Sequence, residues 1–195
     1  QCIAIHCDNG SRILIDCGHM PGQFRPSKYL KSIGFDRIDY FIVTNFDEDH
    51  ISDFVALCDS IEIKAWIRND SISSSALRKI KQLSGGERGI SEAMSLMIEA
   101  QNFNEQNNQN SQIANALWSP PDLGDTTIRW FYNLYPNFED ENDLSVCTFI
   151  EWDGLCLSVT GDLEFGAWEN LLAAPGFKDV LARTHVFVAS HHDRK

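Results

Sequence analysis

Apolar positions along the chain fall into short runs with period-two character, separated by turn residues and by stretches of helical spacing. Cys2 to His6 reads as a strand, Asp8-Asn9-Gly10-Ser11 as a turn and Arg12 to Asp16 as the returning strand. Pro26 suits the first turn of a helix through Ile33, with Gly34 at its end. Tyr40-Phe41-Ile42-Val43 predicts a short buried strand, Ser52 to Ser60 a helix and Ile61 to Ile67 another strand. Ser71 to Leu83 and Glu87 to Glu99 are amphipathic helices separated by Ser84-Gly85-Gly86, and Gln101 to Gln112 is an amide-rich stretch with little to bury. From Thr126 the strands resume. Thr127 to Leu134 is rich in aromatics, and Ser145 to Trp152 with Leu155 to Thr160 makes a hairpin about Asp153-Gly154. A helix follows Gly161-Asp162 as far as Ala174, and Thr184 to Ala189 is the last strand.

The pattern predicts an α/β (α+β) fold in which two strand-rich halves form two sheets packed face to face, with helices outside. At 195 residues the chain is read as a single domain: a first half over about 1–100, a polar connection over 101–125 and a second half over 126–195.

The chemistry concentrates after the strand Tyr40 to Val43. Asn45, Asp47, Asp49 and His50 are all potential metal ligands, and on an extended loop the alternating three point the same way. Asp47, Glu48 and Asp49 repel one another at a strand end, and a divalent cation is the simplest compensation.

Asn45-Phe46-Asp47-Glu48-Asp49-His50 resembles the His-x-His/Asp-x-Asp-His signature of the metallo-β-lactamase superfamily, and its Asp-x-Asp-His form is most similar to ComEC-type metallohydrolase domains. Four further stretches stand in the family's order: Leu14-Ile15-Asp16-Cys17-Gly18, Glu141-Asn142-Asp143-Leu144-Ser145, Ser158-Val159-Thr160-Gly161-Asp162-Leu163-Glu164 and Val188-Ala189-Ser190-His191-His192. The resemblance implies the αββα four-layer sandwich of that superfamily. It implies one or two divalent ions, with Asp49, His50, Asp162 and His191 at one position and Asn45 and Asp47, with the bridging Asp162, at the other. Asp16 would steady the metal loop by hydrogen bonding, and Asn142 or Asp143 could meet metal or substrate. His19 is a weaker recruit. Asn45 stands where the family has a histidine, and no histidine lies between His50 and His185. An amide oxygen binds Zn²⁺ more weakly than imidazole, so the oxygen-rich set leans toward Mn²⁺ or Mg²⁺, with Zn²⁺ the family's usual ion.

Two metals suit phosphodiester hydrolysis by an activated water. Asp49 or Asp162 would orient that water and His192 would protonate the leaving oxygen. The expected function is a phosphodiesterase or nuclease acting on DNA or a nucleotide. Against it stand a catalytically silent binding or regulatory module and a hydrolase acting on carbonyl esters.

A net charge of -12 argues against generic charge-driven binding of nucleic acid. The charge is uneven: nine acidic residues and no Lys or Arg lie between Asn137 and Asn170, whereas Arg78, Lys79, Lys81 and Arg88 face only Glu87 between Ser71 and Ile90. That basic stretch is the candidate hold on phosphate. The six cysteines stand singly, without Cys-x-x-Cys, as in a reducing compartment; a Cys147–Cys156 disulfide between neighbouring strands is the one pairing left open. No apolar run is long enough to span a bilayer and Gln1 leads almost directly into a strand, so the expected location is cytoplasmic. The chain stops just past His191, which reads as an excerpt lacking C-terminal strands, whose parent could be membrane-associated or carry further domains and protein partners.

Overall fold

The computed structural model describes residues 1–19, 22, 24–84 and 120–190. The expected helix Glu87 to Glu99, the amide-rich stretch and the candidates His191 and His192 lie outside those residues.

Strands β1 (Ile3–His6), β2 (Arg12–Ile15), β3 (Arg37–Ile42) and β4 (Glu62–Ile67) form one sheet in sequence order. The β1–β2 pair is antiparallel, and β2–β3 and β3–β4 are parallel. Parallel neighbours need a crossover, supplied by α1 (Pro26–Ser32) before β3 and by α2 (Glu48–Ile51) and α3 (Phe54–Ser60) before β4. The helix expected over Ser52 to Ser60 is α3, starting two residues later at Phe54, and the short helical turn α2 before it is unexpected. A further helix, α4 (Ser74–Ser84), follows β4.

The second sheet runs β5 (Thr127–Phe131), β6 (Cys147–Trp152), β7 (Leu155–Val159) and β8 (Val186–Val188), with two antiparallel pairs and then a parallel one. Helix α5 (Phe165–Ala173) and an additional helix α6 (Phe177–Leu181) make the crossover to β8. The β6–β7 register sets Cys156 opposite Glu151, not Cys147, and all six cysteines are free thiols.

Alternation along the strands separates three apolar layers. Ile13, Ile15, Ile42 and Ile67 of the first sheet meet Ile150 and Val159 of the second in the central layer. Leu14 and Phe41 point the other way, onto Leu30, Phe54, Leu57 and Leu77 of α1, α3 and α4. Phe149 and Cys156 face Leu171, Phe177 and Val180 of α5 and α6. The layer order is therefore helix, sheet, sheet, helix. Phe41, Phe54, Phe149 and Phe177 are fully buried, each contributing about 1.5–3 kcal/mol through burial.

Polar bonds tie the halves together at one end. The amide of Val146 donates to the Thr44 carbonyl at 2.8 Å. The fully buried Asn69 donates Nδ2 to the carbonyls of Asn133 and Leu144, both at 2.9 Å. In the β2–β3 register Ile15 pairs with Ile42, so Asp16 and Thr44 leave the same sheet edge. Val159 pairs with Val188, so the Thr160-Gly161-Asp162 turn leaves the corresponding edge of the other sheet.

Candidate metal centre

At the end of β2, Asp16 takes φ of 56°, a left-handed conformation costing about 1–2 kcal/mol for a residue with a Cβ. What offsets that cost is the aim of its buried carboxylate. Oδ1 accepts the Thr44 amide at 2.8 Å; Oδ2 accepts the Thr44 hydroxyl at 2.5 Å and Gln1 Nε2 at 2.9 Å. Oδ2 also lies 2.8 Å from His50 Nδ1. With Nδ1 committed to Asp16, the ring turns Nε2 toward Asp162 Oδ1, 3.2 Å away. A carboxylate on one ring nitrogen, with the other aimed into a site, is how proteins orient metal-binding histidines.

His50 reaches this position through a helical turn. Asn45 Oδ1 accepts the Asp47 amide at 3.1 Å, and Asp47, in extended conformation, precedes α2 and accepts the His50 amide at 2.9 Å on its carbonyl. The extended loop read from the alternation of Asn45, Asp47 and Asp49 therefore ends at Asp47. The side-chain-to-backbone turn at Asn45 competes with extended structure and starts the helix.

Two glycines let the loops close on each other. A Cβ at Gly18 would sit 1.6 Å from the Asp49 carbonyl oxygen, because the Cys17 amide donates to the His50 carbonyl at 2.7 Å and holds the two loops together. Gly161, at φ 55°, would press a Cβ to 2.9 Å from Ser145 and 3.2 Å from Thr44. Ser145 Oγ accepts the Asp162 amide at 3.1 Å, delivering Asp162 to the site.

Ligand atoms of Asp49, His50 and Asp162 all lie within 4.8 Å of one another; His50 and Asp162 are buried and Asp49 is exposed. Bonds of about 2.0–2.2 Å from a central ion fit that span. Two anionic oxygens and an oriented imidazole, facing a rim that Asp49 leaves open to solvent, fit a divalent cation. Burial opposes charge on His50, but its hydrogen bonds to Asp16 and Asp162 and their negative charge outweigh it and push the ring pKa up to about 10. The same anionic pocket that holds this proton would hold a cation.

The remaining candidates are placed as follows. Asn45, 1% exposed, donates Nδ2 to Asn142 Oδ1 at 3.0 Å, and Asn142 Nδ2 donates to Glu164 Oε1 at 3.3 Å. Asp47 Oδ1 is ion-paired to Lys81, which also pairs with Glu141. Burial drives Glu141 upward most, Lys81 pulls it back and Asp47 adds to the rise, leaving its pKa at about 7. The Asp143 carbonyl accepts Asn133 Nδ2 at 2.9 Å, while its buried Oδ1 has no hydrogen-bond partner among the described residues. Burial first, then the charges of Asp140 and Glu164, raises its pKa. His19 is held by Ser52, with Nδ1 at 2.8 Å from Oγ, and is not part of the Asp49–His50–Asp162 group. Ser190, next to the candidate His191, is anchored by Thr160 Oγ1 at 2.7 Å and by Trp168 Nε1 at 3.1 Å.

Sequence reading passed over Thr44, Ser145 and the pairing of Lys81. Thr44 stood in view as the last β-branched residue before the acidic run. Lys81 falls four residues after the buried Leu77, on the inward stripe of α4, which is the signal that separates it from its solvated neighbours.

No protein-family model matches the chain, and no curated protein matches it. Among solved structures it is similar to a metallo-β-lactamase from Cronobacter sakazakii described by its HARLDQ motif, and to a mutant of that motif. Each is 15% identical, with a TM-score of 0.49 over 97% of this chain and 70% and 72% of theirs respectively. No helix among the described residues is long and apolar enough to cross a membrane.

Proposed function

We propose that this chain is a metal-dependent hydrolase of the metallo-β-lactamase type, acting on phosphodiesters in DNA or a nucleotide, with a motif that resembles that of ComEC-type domains. The observation that carries the reading is His50, gripped at Nδ1 by Asp16 and aimed by Nε2 at Asp162, with Asp49 beside them.

In this reading Asp49, His50 and Asp162 hold the ion, joined by His191. Bound there, a divalent cation lowers the pKa of a water and neutralises the oxygens of a phosphoryl group. The protein's own residues supply the rest. Asp16 and Thr44 fix the imidazole, so the ring needs no reorganisation when substrate arrives. Asp49, exposed at the rim, or Asp162, whose amide donates to Ser145 Oγ, would orient the attacking water. His192 is the proposed donor to the leaving oxygen. With His191 the donors are two carboxylates and two imidazoles, a set richer in oxygen than the histidine-rich sites suited to Zn²⁺, and it leans toward Mn²⁺ or Mg²⁺ and a phosphoryl substrate.

The test is cleavage of labelled single-stranded DNA and of a chromogenic phosphodiester with Mn²⁺, Mg²⁺ or Zn²⁺ supplied in turn. Turnover should require the ion and vanish in Asp49→Ala and His50→Ala proteins that keep their circular dichroism. Zinc-dependent cleavage of a carbonyl ester alone would move the substrate class. Silence with every ion, from protein that binds none, would leave a binding module.

A further inference from the structure

Lys81 is 4% exposed, a burial rare for lysine. An ammonium taken out of water costs several kcal/mol unless anions surround it. Here Nζ pairs with Asp47 from the first half of the chain and with Glu141 from the second. The neighbouring polar groups are committed as well. Asn45 bonds to Asn142 and to the Asp47 amide, and Asn142 bonds to Glu164. Of the acidic run, Asp49 and His50 are the members that group with Asp162 at ligand spacing, and Asp47 does not join them.

We propose that Lys81 is a built-in cation that stands in for a second metal ion and limits the centre to one. The inference rests on the metal-centre reading above and fixes its stoichiometry. The ammonium neutralises the carboxylate of Asp47 that a second ion would need, and Glu141 completes its compensation. Lys81 is accordingly a positioning residue. It holds Asp47, and through the Asp47 amide Asn45, at the edge of the site.

The test counts ions by plasma mass spectrometry and by titration calorimetry with Mn²⁺ and Zn²⁺, without reference to turnover. The expected result is one ion per wild-type chain, none in His50→Ala, and one in Lys81→Arg. Lys81→Met keeps the apolar stem but leaves two carboxylates uncompensated, and should bind a second ion. Asp47→Asn should keep the single ion with its affinity unchanged. Two ions in wild type would overturn the inference and leave the metal centre standing. No ion in wild type would overturn both. A single ion in folded Lys81→Met, or its loss in Asp47→Asn, would overturn the role given to Lys81. The wild-type count and Asp47→Asn decide the matter even where Lys81→Met does not fold.

Discussion

His50 carries a charge in the ion-free protein that its burial alone would forbid, and this makes stability depend on pH in a defined direction. Its pKa in the fold is about 10 against an ordinary value of 6.5. A raised pKa means that the stabilisation is fully present below about pH 6.5 and is lost as pH rises through 10. The gap in unfolding free energy between wild type and His50→Asn, measured by urea denaturation without metal, should narrow across that window. A gap independent of pH would mean that the ring is neutral in the fold. Asp16→Asn should weaken ion binding about 10–100-fold by calorimetry, because the ring loses the anion that fixes Nδ1. At Gly18 the constraint is steric. A Cβ 1.6 Å from a backbone oxygen forces the two loops apart, and Gly18→Ala should cost about 3 kcal/mol, the upper end for overpacking. The check is a denaturation midpoint.

Among the elements, those fixed by period were legible in the sequence and those fixed by contact were not. The hairpins around Gly10 and Asp153-Gly154, α1 with its proline start, and strands β3, β4, β6 and β7 follow from spacing and turn chemistry. Motif order alone singled out Asp16, Asp49, His50 and Asp162, which the fold brings together. The helical turn of α2 could not, because it depends on the Asn45 side chain bonding the Asp47 amide. Nor could the partner of Asp47: a lysine 34 residues along comes to it only through the packing of α4 on the first sheet. Helix α6 has no signal of its own, because Pro175-Gly176 is a helix-ending pair by residue type and serves here as the corner before Phe177. Asn69, between β4 and α4, gives a test at this scale. Asn69→Ala leaves the carbonyls of Asn133 and Leu144 without their donor, and should cost about 2–4 kcal/mol in unfolding free energy. A cost within error of zero would show that the halves are held by their apolar layers alone.

Across the whole molecule, the three grouped candidate ligands come from both sheets: Asp49 and His50 follow β3, and Asp162 follows β7. The seam is already stitched where Val146 donates to Thr44, and Thr44 in turn holds Asp16. A cation gripped from both sides would therefore tighten that stitch from a few ångströms away, without touching it. The consequence is visible to deuterium. The Val146 and Thr44 amides belong to different sheets, yet in a native-state exchange experiment both should slow by a common factor when Mn²⁺ or Zn²⁺ is added, and both should recover when a chelator removes it.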